Sequence, residues 1–152
     1  MSLNIKQVFE NVVQTLDASC EVSAAELDFV RGYVFSAPLK IVGSVSNRAG
    51  IVRLNIHVSA LISAECDRCL TSFERLYEYD FEHIVVRSLA GEDNDEYIIA
   101  DNDRINVGEI ALTDILLELP TKQLCADDCA GICAQCGKCL NDGQCGCAAE
   151  GE

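Results

Sequence analysis

The sequence has no long apolar run, and this absence excludes two classes of protein. No stretch approaches the roughly 20 consecutive apolar residues that span a bilayer. Residues 1–30 lack the basic start and unbroken apolar run of a secretory signal, because Lys6, Glu10 and Asn11 interrupt the apolar positions. We therefore predict a cytoplasmic protein without a membrane anchor.

Basic residues are scarce relative to acidic ones. The chain has 11 Lys and Arg against 25 Asp and Glu, a formal net charge of -14. Because affinity for a phosphate backbone comes mainly from Lys and Arg, this balance argues against a simple nucleic-acid binder. Residues 31–75, however, hold six basic and three acidic residues, so this segment carries +3 and the rest of the chain -17. The asymmetry predicts a locally positive surface on an acidic body, with scattered, solvated charges as the alternative.

The sequence also lacks the short motifs that mark common catalytic sites. It has no G-x-S-x-G, no H-E-x-x-H and no glycine-rich loop of the kind that holds phosphate. Of the two histidines, His57 falls on the polar face of a predicted strand, whereas His83 shares an aromatic face and is expected in the core. We predict that the protein is not an enzyme and see no small-molecule substrate.

The chain is long enough for one domain with a hydrophobic core and a small appendage. At its start, apolar residues recur with the spacing of one helical face. They are Ile5, Val8, Phe9, Val12, Val13 and Leu16. This pattern predicts one amphipathic helix packed on the core. A second helix is predicted after Asn106, a candidate N-cap with Glu109 three residues on, and it ends before Pro120.

Between these helices, alternating apolar and polar residues predict strands. Residues 38–46 and 51–66 form a predicted antiparallel hairpin, with Gly50 supplying a positive φ in its turn. Residues 77–86 form a third strand that pairs in a meander. The acidic segment 90–96 is a predicted loop, followed by a short strand, YIIA.

The predicted fold class is α+β. It consists of an antiparallel β-meander or partly open barrel flanked by an N-terminal and a C-terminal helix, with a cysteine-rich zinc-knuckle tail. The domain is assigned to residues 1–120 and the metal-binding tail to residues 121–152.

What the sequence has in abundance is cysteine: ten residues, of which seven fall within positions 125–147. Eight of the ten form four closely spaced pairs. The pairs are Cys66 and Cys69 (C-x2-C), Cys125 and Cys129 (C-x3-C), Cys133 and Cys136 (C-x2-C-G), and Cys145 and Cys147 (C-x-C). A short turn of this kind aims two thiolates at one point, and Gly137 permits the left-handed backbone that turns amides toward sulfur. Where thiols stay reduced, clustered cysteines are more often metal ligands than disulfides.

Four pairs can form two tetrahedral sites. Spacing alone does not fix which pairs combine, but the last two pairs can close a compact loop without help from the rest of the chain. Cys66 and Cys69 would then meet Cys125 and Cys129 in a site that pins the tail to the domain. We predict zinc in both sites, because a structural zinc contributes on the order of 10 kcal/mol to folding, which would compensate for a tail with few apolar residues.

Other uses of the cysteines stay open, including disulfides and unligated thiols. Cys133, Cys136 and Cys139 also spell C-x2-C-x2-C, a spacing found in iron–sulfur proteins, although the fourth cysteine with its following proline is missing. An iron–sulfur or thiol redox protein is accordingly the alternative function. Cys20 is expected to be a small buried hydrophobic residue.

In combination, these motifs resemble the YceD family, also called the large ribosomal RNA subunit accumulation proteins. The resemblance rests on CDRCL in mid-chain and on ELPTKQLCADDCAGICAQCGKCLNDGQCGC near the end, and it extends to SVSNRAGIVRLNIHVSA before the first pair. Cys139 departs from the family pattern, which usually has a non-cysteine residue there. The positions that match the pattern are Cys66, Arg68, Cys69, Leu70, Cys125, Cys129, Gly131, Cys133, Cys136, Gly137, Leu140, Asn141, Cys145 and Cys147.

The resemblance implies a non-enzymatic role in ribosome biogenesis that supports accumulation of large-subunit ribosomal RNA. The implied partner is large-subunit ribosomal RNA or a basic ribosomal or assembly protein. Arg68, between two thiolates, is expected chiefly to compensate their charge. Any contact with RNA is expected within the positive segment, at Lys40, Arg48, Arg53, Arg68 and Arg75.

Overall fold

A computed structural model of the protein describes residues 2–27, 33–88, 96–143 and 145–149. Arg31 and all but the last residue of the predicted acidic loop 90–96 lie outside these ranges. The elements in chain order are β1 (Ser2–Asn4), α1 (Lys6–Phe9), β2 (Thr15–Val22), β3 (Val34–Phe35), β4 (Leu39–Arg48), β5 (Ile51–Glu65), β6 (Ser72–Val86), β7 (Tyr97–Ile99), β8 (Arg104–Asn106) and α2 (Val107–Glu118). Single 3-10 turns lie at Ala24–Leu27, Leu140–Asp142 and Gly146–Ala149.

Six of the strands form one open sheet. Its order is β2-β4-β5-β6-β7, with β3 pairing β5 beside this path, and all pairs are antiparallel except β6 with β7. Strands β1 and β8 form a separate antiparallel pair. The described residues thus contain mostly strands and two α-helices, which confirms the α+β class, and β4-β5-β6 is the predicted meander. No helix in the described part of the chain is long and apolar enough to cross a membrane.

The β4-β5 hairpin turns through Ala49 and Gly50, both with positive φ, at 53° and 81°. A two-residue turn of this hand matches the twist of the flanking strands and favours glycine. The side-chain oxygen of Asn47 accepts a hydrogen bond from the Gly50 amide at 3.1 Å, and its amide donates to the Val8 carbonyl at 2.9 Å. The predicted hairpin is confirmed, and one buried Asn ties it to the N-terminal segment.

One face of the sheet is buried and the other faces solvent, because successive side chains of a strand point to opposite faces. In β5, buried apolar residues from Val52 to Ile62 alternate with half-buried residues that are polar except for Leu61. Ala111 and Ile115 of α2 are buried in the same core. As predicted, Asn106 caps α2 by accepting a hydrogen bond from the Glu109 amide at 3.3 Å.

The predicted N-terminal amphipathic helix is wrong beyond its first turn. α1 has four residues, and Asn11, with φ of 58°, ends the helical path. Val12 is 68% exposed, and Leu16 belongs to β2. Leu16 fits the helical spacing only by coincidence. The side chains of Thr15–Val22 also alternate between the two faces of a strand, and β2 pairs with β4 in the sheet. When the apolar residues of a segment fit both the helical and the strand period, its structure depends on whether a strand edge is available for pairing.

Candidate metal centre

The structure brings eight cysteines together in two groups of four. Within each group the Sγ atoms all lie within 4.8 Å of one another. Site 1 consists of Cys66, Cys69, Cys125 and Cys129, and site 2 consists of Cys133, Cys136, Cys145 and Cys147. Site 1 joins the C-x2-C pair of the domain to the C-x3-C pair of the tail, and site 2 joins the last two pairs, the same combinations that the sequence favoured. Metal binding at these residues stays a prediction.

The body of the domain supplies half of site 1 through a knuckle between β5 and β6. The carbonyl of Cys66 accepts from the Leu70 amide, and the Cys66 amide donates to the Thr71 carbonyl, both at 2.9 Å. This turn requires a left-handed residue after its second cysteine, and Leu70 adopts φ of 60° there. In the knuckle of site 2 the same place is held by Gly137, with φ of 74°. Leucine at such a position costs roughly 1–2 kcal/mol relative to an ordinary conformation.

The tail supplies the other half of site 1, and four residues of the body hold it in place. Arg75 donates to the Cys125 carbonyl at 2.9 Å, and Arg68 donates to the Cys129 carbonyl at 3.2 Å.

Gln123 and Asp67 form a two-way clamp. The Asp67 amide donates to the Gln123 carbonyl at 2.7 Å, and the Gln123 amide donates to the Asp67 carboxylate at 2.8 Å. The Tyr77 hydroxyl also donates to the Gln123 side chain at 3.3 Å.

The sulfur spacing in site 1 suits a single tetrahedral ion. The Sγ atoms of Cys66 and Cys129 are 3.6 Å apart, and those of Cys69 and Cys125 are 3.5 Å apart. With Zn–S bonds of about 2.3 Å, a regular tetrahedron has S···S edges of about 3.8 Å. A disulfide would need about 2.05 Å. The donor set and its spacing therefore fit a thiophilic cation.

The hydrogen bonds in site 1 favour thiolate at some positions and thiol at others. Burial raises the pKa of Cys66, but amides of Cys69, Cys125 and Arg68 outweigh it and bring that pKa to about 6. The hydroxyl and amide of Thr71 lower the pKa of Cys69. The Cys125 thiol donates a hydrogen bond to the Cys69 sulfur, and this bond and then burial raise the pKa of Cys125 to about 12. Four thiolates cannot crowd together without a cation, which would deprotonate all four.

Site 2 is built within the tail. The Gly137 amide donates to the Cys133 carbonyl and the Cys133 amide to the Lys138 carbonyl, both at 2.9 Å. Amides of Cys136 and Gln135 lower the pKa of Cys133 to about 6, whereas the Cys136 side chain and then burial raise that of Cys147 to about 12. Cys136 is exposed and the other three cysteines of the site are half-buried.

Two cysteines lie outside both sites. Cys139 forms an isolated bridge with Ile132 and packs against the buried cysteines of site 1. It does not join Cys133 and Cys136, so the C-x2-C-x2-C motif does not converge on one point. Cys20 lies half-buried in β2, where burial raises its pKa.

The five basic residues proposed for RNA or partner contact do not form one patch. Arg68 and Arg75 are directed to carbonyls of the tail. Arg53 pairs with Glu82 on the neighbouring strand at 3.0 Å. Lys40 and Arg48 are exposed but lie at opposite ends of β4. Contact with RNA at these residues stays a prediction.

The solvent-facing side of β6 carries a row of exposed acids beside the basic residues of β5. The row consists of Glu74, Glu78, Asp80 and Glu82. His57 of β5 lies on the polar face, as predicted, and pairs with Asp80 at 2.8 Å; this hydrogen bond raises the pKa of His57. His83, on the other face, pairs with Asp114 of α2 at 2.6 Å and is mostly buried. The net positive charge of segment 31–75 is therefore offset in space by Glu78, Asp80 and Glu82, the acids of the row that lie beyond this segment.

Three residues around site 1 had no role assigned from the sequence. Asp67 and Gln123 form the clamp, and because they are 56 positions apart, no local pattern links them. Asn141 donates to the Sγ atoms of Cys129 and Cys125, at 3.3 and 3.6 Å. Its place in the motif shared with the family was the only sequence signal for Asn141.

The family comparison covers most of β5, all of β6 and β7, and both sites. A family model described as large ribosomal RNA subunit accumulation protein YceD matches residues 54–152. The match begins within β5, so the first ten residues of SVSNRAGIVRLNIHVSA lie outside it. No curated protein and no solved structure matches the chain significantly. A match over 99 of 152 residues that includes all eight cysteines establishes the relationship: the chain belongs to the YceD family.

Proposed function

We propose that the protein is a non-enzymatic zinc-binding factor of ribosome biogenesis, acting in the cytoplasm to support accumulation of large-subunit ribosomal RNA. The observation that carries this proposal is the convergence of eight cysteines into two tetrads in a chain of the YceD family. Zinc would give the tail a fixed shape against the domain, and the tail would present that shape to an assembly partner.

The spacing of the thiols favours zinc over an iron–sulfur cluster. All four Sγ atoms of a site lie within 4.8 Å of one another, which suits one ion at their centre. A cluster distributes its cysteines over several irons and so spreads their sulfurs more widely. Four thiolates around zinc also close its coordination shell and leave no position for substrate water, which supports a structural rather than a catalytic role.

The partner is large-subunit ribosomal RNA or a basic ribosomal or assembly protein. Two zinc ions, each held by four thiolates, would take the formal charge from -14 to about -18. Such a charge, together with the acidic row on β6, supports a basic protein as partner. Lys40 and Arg48 are the exposed basic residues of β4 that remain for RNA. Direct RNA binding would weaken steeply with added salt and on Arg48→Glu.

The first test is the metal content of protein purified without added metal or chelator, with an absorption spectrum of the same sample. About two zinc per chain supports the proposal, and about one leaves a single site. Iron with visible absorption contradicts it and supports the redox alternative. The second test is the ratio of large- to small-subunit ribosomal RNA in cells that contain only Cys66→Ser protein. A ratio equal to that with wild-type protein would show that site 1 is not needed for the role.

A further inference from the structure

Asn141 connects the two cysteine tetrads. It lies in the segment that joins the first pair of site 2 to its second pair, yet its side chain points to site 1. Its amide nitrogen donates to the Sγ atoms of Cys129 and Cys125, at 3.3 and 3.6 Å. These are the two sulfurs that the tail contributes to site 1. A side chain from the loop of one site therefore contacts the sulfurs of the other.

The position of Asn141 depends on the fold of the site 2 loop. The Asn141 side-chain oxygen accepts from the Ala130 amide at 2.8 Å, and the Leu140 amide donates to the Gly131 carbonyl at 2.9 Å. Residues Leu140–Asp142 form a single 3-10 turn, and Asn141 is itself exposed. So short and open a turn has little burial to order it. Metal bound at site 2 would close the loop between Cys136 and Cys145 and so order this turn.

We propose that Asn141 couples the two sites, so that metal in site 2 strengthens metal binding in site 1. This inference rests on the proposed function, because it requires that both tetrads bind zinc. N–H donors to a coordinating thiolate delocalise its charge and fix its direction, and their removal typically costs about 10–100-fold in metal affinity. Because coupling between two binding equilibria is reciprocal, metal in site 1 strengthens site 2 by the same factor.

The test is a cycle of four proteins: wild type, Asn141→Ala, a double variant Cys133→Ser/Cys136→Ser that disables site 2, and all three substitutions together. Each reduced, metal-free protein is titrated with zinc against a competing chelator. NMR signals of the Cys69 and Cys136 amides report the two sites separately. Disabling site 2 weakens site 1 about ten-fold in the wild-type background, as does Asn141→Ala. With Asn141 already removed, disabling site 2 has no further effect.

A second variant separates the contact with sulfur from a general effect on the fold. Asn141→Asp keeps an oxygen to accept from the Ala130 amide but loses the N–H donor and adds a negative charge beside two thiolates. It should weaken site 1 at least as much as Asn141→Ala. Asp142→Asn, in the same turn, is the matched control and should leave both affinities unchanged. Wild-type affinity in Asn141→Asp would show that only the Ala130 contact matters, and would overturn the inference.

The outcomes also separate this inference from the proposed function. If both sites bind zinc but site 1 has the same affinity with and without site 2, the coupling alone is wrong. Losses that multiply in the combined variant also overturn it, because they show that Asn141 acts independently of site 2. Absence of zinc from both tetrads at saturating zinc overturns the proposed function and the coupling with it.

Discussion

Sites 1 and 2 each consist of four cysteine thiols, but the two sets lie in different surroundings. Three of the four cysteines of site 1 are buried, and the site joins a knuckle of the sheet to the tail. Site 2 has an exposed cysteine and is formed by the tail alone. Arg68 and Arg75 donate to the backbone of site 1. The comparison teaches that site 1 fastens the tail to the domain, whereas site 2 shapes the tail itself.

The largest effect is expected from removing one ligand of either site. Cys129→Ser should abolish zinc at site 1 and release the tail, because structural zinc contributes on the order of 10 kcal/mol. Cys136→Ser should remove zinc from site 2 while the tail stays docked. Limited proteolysis and zinc content distinguish the two. Equal protection of the tail in both variants would contradict the division of roles.

Removal of metal should follow the same asymmetry. A chelator added to the fully loaded protein should take zinc from site 2 first, because its ligands are more accessible, and from site 1 in a slower second phase. Release is followed with a chromogenic zinc indicator, and the Cys136→Ser protein should show the slow phase alone. A single phase carrying both equivalents would show that burial does not protect site 1.

A smaller effect is expected from the arginine that holds the tail beside site 1. Arg75→Ala removes the hydrogen bond to the Cys125 carbonyl and the stacking of the guanidinium on Phe73 at 5.2 Å. We expect tail docking to weaken by about 2 kcal/mol, as is typical of a charge-assisted hydrogen bond. The readout is faster proteolysis of the tail, with Arg48→Ala as the exposed control. If the two variants behave alike, Arg75 does not hold the tail.

The smallest effect is expected far from both sites, on the open face of the sheet. Because the hydrogen bond with Asp80 raises the pKa of His57, the pair stabilises the fold most fully below pH 6.5, and its contribution is lost as pH rises through the raised pKa. Asp80→Asn should lower the pKa of His57 toward 6.5, measured by NMR titration. Metal binding at sites 1 and 2 should be unaffected. A change in zinc content would mean that the sheet and the tail are coupled more widely.

Sequence periodicity was a good guide where one pattern dominated. The alternation in β5, the turn at Gly50 and the cap at Asn106 each predicted the observed element, because local sterics and burial act together there. It failed at the N-terminus, where Leu16 fits a helical stripe and also a strand. Pairing of β2 with β4 is a contact between distant segments, and no local pattern reports it.

For the candidate site, cysteine spacing limited the ways in which the cysteines could combine into two sites, because a short C-x2-C turn directs both of its sulfurs to the same point. The roles of the basic residues could not be obtained in this way. Charge marked Arg75 as a candidate contact for RNA or a partner, and Arg68 chiefly as compensation for the thiolates, but charge did not report that both donate to carbonyls of the tail. Arg53 is paired with Glu82, which lies 29 positions away along the chain.

The sequence by itself determined the α+β class, the central hairpin, the second helix and the four cysteine pairs, since each depends on neighbours along the chain. Only the tertiary structure decided that β2 completes the sheet, that the Asp67 and Gln123 clamp docks the tail and that Asn141 lies against the sulfurs of site 1. The physical reason is that these contacts form between segments brought together by folding, so their energies depend on distances that no local spacing specifies.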